Sequence, residues 1–497
     1  MNPLLLTDGY KLGHRAQYPQ GTSKVYSNWT PRKSRIKGIN SVVFFGLQYF
    51  IKEYLIKQFN KEFFHQPKAQ VIAEYKKYVD HYLGDDYNTS HIEALHDLGY
   101  LPIEIKAVPE GTEVPIRVPM FTVVNTLPEF FWMTNYLETL LSNIIWQPCT
   151  SATIAKRYKT ILTKYAQETD AENLDFINWQ GHDFSMRGMS GIESSVLSGM
   201  GHALSFTGSD TLPVAMNLEK YYNAYVSKEL VIGSVNATEH SVMCAGSKED
   251  EIDTFKRLLK TYPKGILSVV SDTWDLWKVL TEYLPSLKKE IVARDGKLVI
   301  RPDSGNPVDI ICGCDHENPI IRKGVIELLW DEFGGTINSQ GYKVLNPKIG
   351  AIYGDSITMD RATQICERLK KKGFATTNVV LGIGSFTYQY NTRDTFGFAM
   401  KATYVEINGK GQAIFKDPIT DDGTKKSAKG LIQLYSKNGR LHYKDECSQQ
   451  EEQQGLLKTV FKDGVLLKEQ SLQEIRKKIS KSTQDVNYVK TADTVDI

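Results

Sequence analysis

The chain predicts an α/β fold: an irregular (β/α) barrel, with a flanking sheet-rich α+β domain formed by both chain ends. Two observations carry this. Between residues 267 and 385 four short apolar runs each stop at an acidic residue or a glycine. They are Leu267-Ser268-Val269-Val270-Ser271-Asp272, Leu298-Val299-Ile300-Arg301-Pro302-Asp303, Ile349-Gly350-Ala351-Ile352-Tyr353-Gly354-Asp355 and Val379-Val380-Leu381-Gly382-Ile383-Gly384-Ser385. Runs this short and apolar, separated by polar stretches of helical length, read as buried parallel strands. Beyond residue 395 the pattern changes to hairpins with glycine turns, such as Asn408-Gly409-Lys410-Gly411, Lys437-Asn438-Gly439-Arg440 and Lys462-Asp463-Gly464.

In chain order, residues 1–150 mix strand-like pieces (Ser41-Val42-Val43-Phe44-Phe45, Ile103-Glu104-Ile105-Lys106-Ala107-Val108) with helices. The 129–146 segment has apolar residues at helical spacing and reads as one of those helices. Strand and helix signals alternate over 151–394, the barrel, and 395–497 completes the flanking domain begun by 1–150. A chain of 497 residues exceeds one ordinary core, which agrees with two large domains.

Composition excludes several classes. With 60 basic and 58 acidic side chains the formal charge is +2, which argues against a sequence-independent nucleic-acid binder. The most apolar stretch, 121–146, is interrupted by Asn125, Pro128, Glu129, Asn135, Glu138 and Asn143, so no membrane span is expected. The first residues lack a basic start, and Asp8 interrupts their apolar run, so no signal peptide is expected. Six cysteines without paired zinc-ligand spacing imply free thiols and a reducing cytoplasm.

In a barrel, residues at the carboxyl ends of the strands face one shared pocket. Asp272, Arg301, Asp303, Asp355 and Gly384 hold such positions, and that set suits a polyol, a phosphate and a metal. In Arg301-Pro302-Asp303-Ser304-Gly305-Asn306-Pro307 the arginine's planar fork fits pyrophosphate, and the carboxylate fits a sugar diol or a magnesium-bound water. The same residues also suit a structural Arg–Asp pair capping a turn. Gly382-Ile383-Gly384-Ser385 fits either a phosphate loop or a tight strand-to-helix turn. His240, beside Glu239, has the chemistry of nucleophile, base or phosphate acceptor, though a structural histidine is equally compatible. Phe184 and Arg187 offer a stacking ring and an anion contact three residues apart, and Asp210 is another turn carboxylate. None of the four runs ends in a histidine, which argues against a metal-dependent barrel hydrolase.

Taken together these motifs resemble the nicotinamide phosphoribosyltransferases of the type II phosphoribosyltransferase superfamily. The likeness runs nearly end to end, through Thr7-Asp8-Gly9-Tyr10-Lys11, Tyr18-Pro19-Gln20-Gly21-Thr22-Ser23-Lys24-Val25-Tyr26, Gly46-Leu47-Gln48-Tyr49, His182-Asp183-Phe184, Glu239-His240-Ser241, the 301–307 motif and Phe415-Lys416-Asp417-Pro418. It implies a homodimer with shared active sites. It also implies transfer of phosphoribose from phosphoribosyl pyrophosphate to nicotinamide, aided by Mg2+ and by ATP as coupling co-substrate. The related alternative is a nicotinate phosphoribosyltransferase. By position, the resemblance implies that Phe184 stacks on the pyridine ring, with Tyr10 supplied by the other subunit, and that Asp8 is among the substrate-binding residues. Asp210 accepts a hydrogen bond from the carboxamide. Arg187 and Arg301 meet pyrophosphate and ligand, Asp303, Gly354 and Asp355 the ribose, and Asp272 the magnesium region. Ser268 belongs to the substrate pocket, Gly384, Ser385 and Arg393 to the 5′-phosphate, and His240 is the histidine that ATP phosphorylates. Arg32, Lys401, Lys416 and Lys425 are implied around the phosphates. The 308–346 segment, with Cys312 and Cys314, matches the family poorly and reads as a variable insertion.

Overall fold

The computed structural model of the protein describes residues 1–84, 86–354, 356–420, 423 and 425–484. Its contacts divide the chain into two units: Met1–Thr153 with Leu218–Ala224 and the chain from Thr392 onward, and Ile154–Asn217 with Tyr225–Asn391.

In the second unit the four apolar runs become the parallel strands Lys264–Val270, Asp295–Arg301, Ile349–Tyr353 and Val379–Ile383. Their order in space follows the chain. Leu298 pairs with Leu267 on one side and Ile349 on the other, and Ile352 pairs with Val380. Strands Gly181–Asp183 and Gly208–Ser209 extend this sheet at one edge, and Asn236–Ala237 extends it at the other. Gly208 forms a parallel bridge to Gly233, just before the opposite edge strand, so the sheet curls into an irregular barrel. In the crossover helix Met359–Lys371, Ala362, Ile365, Cys366 and Leu369 recur at helical spacing and are buried. Thr358 caps it by accepting from the Arg361 N–H, and Lys370 and Lys371 sit where the helix dipole favours cations. Each of its buried large aliphatic side chains contributes about 1.5–3 kcal/mol.

The segment expected to be a variable insertion is regular barrel structure. Helix Pro307–Cys312 leads into helix Pro319–Phe333, which buries Val325, Ile326, Leu328, Leu329 and Phe333, and the pair Gly335–Ile337 and Lys343–Leu345 follows. It is the crossover between two adjacent parallel strands, a connection those strands require. Cys312 is buried and Cys314 half-buried, and all six cysteines are free.

The first unit is built on a seven-stranded antiparallel sheet to which both chain ends contribute. Thr22–Pro31 pairs with Phe398–Ile407 and with Phe121–Asn125, while Ile103–Ala107 pairs with Lys458–Lys462. At its centre Trp29 stacks on Phe398, ring centroids 4.5 Å apart and 2° from parallel. The three glycine turns close as expected: Asn408-Gly409, Asn438-Gly439 and Asp463-Gly464 all have positive φ, the geometry matching right-twisted hairpins.

The helix expected over 129–146 is different. A short turn at Pro128–Phe130 and a one-turn helix Met133–Tyr136 precede one long helix, Glu138–Thr169, which continues through Pro148. A helix-interior proline ordinarily costs about 3 kcal/mol. The proline ring packs where Gly46, at φ +102°, leaves room; a Cβ on Gly46 would collide with it.

Glu110 is buried in this unit and accepts hydrogen bonds from the Gln48 N–H (2.6 Å) and the Gly46 N–H (3.2 Å). Burial pushes its carboxyl up to about 7 although these backbone bonds oppose the shift. The folded state therefore holds the proton more tightly than the unfolded chain. This contribution to stability is fully present below the unfolded value of 4.5 and is lost as pH rises through about 7. A shift of that size is worth roughly 3 kcal/mol. Denaturant unfolding between about pH 5 and about pH 8 should lose about that much, and Glu110→Gln should flatten the slope. An equal slope in the variant would contradict the assignment.

Candidate active site

The parallel strands set the site's geometry at their carboxyl ends. Asp272 follows Lys264–Val270, and its Oδ2 accepts from the backbone N–H of Asp303 (2.9 Å) and the hydroxyl of Ser304 (2.5 Å). It thereby clamps the 301–307 turn against the neighbouring strand. The Ser271 N–H donates to the Arg301 carbonyl at 3.0 Å, closing the same junction. Gly354, at the end of the next strand, lies against this turn: a Cβ there would collide with Asp303 Oδ1 and sit 3.6 Å from Arg301 Cδ. Gly382 is likewise required, because a Cβ would come within 2.8 Å of the Gly354 carbonyl oxygen. Asp272, Arg301, Asp303 and Gly354 are thus adjacent, with the Gly382–Ser385 turn beside them. Asp355 lies outside the described residues.

The other side of the site is organised by Asp183, which is fully buried. Its carboxylate accepts from the Ser185 N–H (2.9 Å), the Ser185 hydroxyl (2.6 Å) and the Thr211 hydroxyl (2.7 Å). Its own carbonyl accepts from the Asp210 N–H at 2.9 Å. Two loops are thereby tied together, one carrying Phe184 and Arg187, the other Asp210. Phe184 is half-buried, and its N–H donates to the Ile383 carbonyl at 3.0 Å, which sets the ring beside the glycine turn. Gly188 packs on Ser385, so a side chain at 188 would displace it. Arg187 is exposed next to that contact. The helix that begins at Ser385 is a single turn, so Gly384 and Ser385 offer backbone N–H groups with little dipole behind them.

Phe184, Asp210, Ser268 and Arg301 share one cavity of about 990 Å³. Asp210 Oδ1 accepts from His182 Nε2 (2.8 Å) and the Ser234 hydroxyl (2.5 Å). Burial raises the Asp210 carboxyl, but these bonds and the Arg301 charge outweigh it, and the group is held below the usual carboxylate range. An anionic acceptor therefore faces the cavity at neutral pH. His182, Asp183 and Ser234 are site residues that the apolar-run pattern misses. Gly181–Asp183 is a three-residue strand without an apolar run, and only the His182-Asp183-Phe184 spacing hints at it.

Two buried polar atoms at the site make no hydrogen bond within the protein: Arg301 Nε and Asp272 Oδ1. Leaving a buried donor or acceptor unpaired costs about 1–3 kcal/mol, and more when it is charged. A ligand that supplies the missing partners would recover that energy. Asp272 Oδ1 also lies 3.5 Å from Nε2 of His240, whose side chain is 47% exposed against 6% for Asp272. Glu239 precedes the short helix His240–Cys244 and accepts from the Ser241 hydroxyl, so the carboxylate facing the histidine ring is Asp272.

The remaining sequence candidates belong to the first unit. Arg32 and Lys401 line a pocket of about 190 Å³ with Arg117 and Lys426. Burial depresses the Lys401 ammonium; Glu138 opposes the shift, and Arg32, Lys416 and Lys11 add to it. This is a basic cluster suited to an anion. Lys416 and Lys425 are exposed near it in sequence, and the Lys416 N–H donates to the Ser427 hydroxyl at 2.9 Å. Asp8 accepts from the Thr139 hydroxyl at 2.7 Å, Tyr10 is 64% exposed, and Arg393 pairs with Asp394 at 3.3 Å.

The chain matches the nicotinate phosphoribosyltransferase (NAPRTase) family over residues 179–465, a span that holds the barrel strands and every unit-two site residue above. The chain belongs to that family. It also matches the nicotinamide phosphoribosyltransferase N-terminal domain over residues 2–105. Among relatives of this family member, the nicotinamide phosphoribosyltransferase of Acinetobacter baylyi is 51% identical over 501 residues, covering 97% of this chain and 98% of the relative. That of Mycoplasma pneumoniae is 39% identical over 456 residues, covering 87% and 97%. Of solved structures, the nicotinate-nucleotide pyrophosphorylase of Pyrococcus furiosus superposes with a TM-score of 0.60 at 15% identity, covering 98% of this chain and 97% of that one. Human nicotinic acid phosphoribosyltransferase gives 0.57 at 15%, covering 96% and 93%. At that identity both establish the family's fold alone. An irregular barrel and a sheet-rich domain formed by both chain ends make up that fold.

Proposed function

We propose that this protein transfers phosphoribose from phosphoribosyl pyrophosphate to nicotinamide, giving nicotinamide mononucleotide and pyrophosphate for NAD salvage, with ATP hydrolysis coupled to the transfer. The observation that carries the reading is Asp210, an anionic acceptor on the wall of the cavity that also holds Phe184 and Arg301. A carboxamide can donate to Asp210, whereas nicotinate would be repelled. The nicotinamide-type N-terminal domain and the names of the relatives support the same choice over a nicotinate-specific enzyme.

The pyridine nitrogen already carries a lone pair, so no general base is needed. The barrier lies at the sugar carbon, where the bond to pyrophosphate breaks as the bond to nitrogen forms. Phe184 holds the flat ring in line with that bond, which removes part of the entropic barrier. Arg301, with Arg187, offers planar donors to the departing pyrophosphate, and Asp303 faces the positive charge growing on the ribose. Gly384 and Ser385 take the 5′-phosphate. Magnesium fits here: Asp272 Oδ1 is a buried carboxylate oxygen without a hydrogen bond, and Mg2+ is commonly held by one or two carboxylates together with substrate phosphates. When bound, it would supply further charge neutralisation for the leaving group.

ATP would transfer its terminal phosphoryl group to a ring nitrogen of His240, releasing ADP, and water would later remove it as phosphate. The added charge beside Asp272 would tighten magnesium and donor binding. The homodimer is part of the proposal: the partner subunit's Tyr10 would close the second face of the pyridine, and Arg32, Lys401, Lys416, Lys425 and Arg393 would serve the phosphates. A cytoplasmic location agrees with six free cysteines. No helix among the described residues is long and apolar enough to cross a membrane.

A product assay with phosphoribosyl pyrophosphate and either pyridine tests the reading. Mononucleotide should form from nicotinamide at a kcat/KM far above that for nicotinate, and product from nicotinate alone would refute it. Asp210→Asn should shrink the nicotinamide preference by about tenfold or more, since the repulsion of the acid disappears. An unchanged ratio would count against Asp210.

A further inference from the structure

His202 is fully buried on helix Ile192–Ala203 and has no part in the transfer chemistry above. Its Nε2 lies 3.0 Å from the Gly208 carbonyl oxygen, and its Nδ1 lies 2.7 Å from the Tyr388 hydroxyl. A carbonyl oxygen only accepts, so Nε2 carries the proton and donates to Gly208. Burial lowers the pKa of the ring, although the Asp183 charge opposes the shift, and the neutral Nδ1 then accepts from Tyr388. One imidazole thus holds two partners, each through its own nitrogen.

Those partners belong to different parts of the site. Gly208 begins the two-residue strand Gly208–Ser209, which leads directly into Asp210 and pairs with His182 and Asp183. So short a strand has few ladder bonds of its own to fix where Asp210 stands. Tyr388 closes the helix Ser385–Tyr388, whose first residue belongs to the glycine turn. A helix of one turn is not stable without tertiary anchors. Tyr388 is the buried anchor, whereas the bond from the Ser190 N–H to Gln389 Oε1, at 2.9 Å, is at the surface. Two elements too small to hold themselves are therefore braced on one side chain.

We propose that His202 is a positioning residue of the transfer reaction: through Nε2 it sets the Asp210 carboxylate, and through Nδ1 it sets the 5′-phosphate turn, without touching either ligand. His202 acts in this way only if Asp210 is the base acceptor and Gly384 with Ser385 the phosphate turn, as proposed above. The two roles are separable because each belongs to a different nitrogen. Tyr388→Phe removes one hydroxyl, leaves Nδ1 buried and unpaired, and keeps the Gly208 bond. His202→Gln keeps an N–H at the Nε2 position and withdraws the acceptor from Tyr388. His202→Asn does the reverse, keeping an acceptor at the Nδ1 position and withdrawing the donor from Gly208.

Calorimetric titration of the full-length protein with ribose 5-phosphate and, separately, with nicotinamide provides the test. Tyr388→Phe and His202→Gln should each weaken ribose 5-phosphate by about tenfold and leave nicotinamide within about twofold of wild type. His202→Asn should show the opposite split. A histidine that only supports the fold would weaken both ligands together, in step with a lowered melting temperature. Parallel losses in Tyr388→Phe, unchanged affinities in all three variants, or failure of the wild type to bind ribose 5-phosphate would each overturn the proposal. Binding is read without turnover, so the two readings fail separately. A wild type that shows the split against its variants yet makes no mononucleotide would refute the reaction and uphold the role of His202.

Discussion

Arg301→Ala is expected to lower kcat/KM for mononucleotide formation by roughly a thousandfold, the largest loss from any one side chain here. The guanidinium lines the cavity that holds Phe184 and Asp210, and its buried Nε has no protein partner. That N–H is therefore left for an acceptor the protein does not itself supply. A donor aimed at charge that grows during reaction typically contributes about 3–4 kcal/mol, more than a contact made equally before and during it. The fall should lie mainly in kcat. Arg301→Lys keeps the charge but loses the planar fork, so it should recover only a small part. Steady-state kinetics on variants with wild-type melting behaviour gives the answer. A loss below about tenfold would show that Arg301 does not meet the leaving group.

The second large effect concerns coupling. His240→Ala should abolish the stimulation by ATP, so that rates with and without it coincide, while slow basal transfer persists. The histidine is accessible to a nucleotide at 47% side-chain exposure and stands 3.5 Å from the buried Asp272. Glu239 is engaged by Ser241, so the ring's acidic neighbour is the residue proposed to face magnesium. A phosphoryl group on His240 would bring about −1.5 to −2 charge next to that region. Rates measured with and without ATP at subsaturating phosphoribosyl pyrophosphate report this directly. Stimulation that survives in His240→Ala would remove the histidine from the coupling step.

Much of this site is legible in the sequence because parallel strands are short, apolar and punctuated. Asp272, Arg301 and Asp303 announce themselves as polar residues that end buried runs, and the structure joins them through bonds to the Asp272 carboxylate. Gly354 is legible as a glycine, but the reason for it, the approach of Asp303, is purely tertiary. His182 and Asp183 were harder to read. Their strand has three residues, too few for a periodic signal, and it is held by pairing Ile383 with Asp183. The hairpins of the first unit are local and therefore readable, since Asn-Gly and Asp-Gly turns fix their own register. Helix 138–169 is not readable from local pattern, because it runs through Pro148, whose ring packs on Gly46, far away in the chain.

The most direct test is a crystal structure with nicotinamide mononucleotide bound. The base should lie on Phe184 with its carboxamide donating to Asp210, and the phosphate should sit at Gly384 and Ser385. A nucleotide bound in reverse, or anywhere other than the carboxyl ends of the parallel strands, would contradict the account.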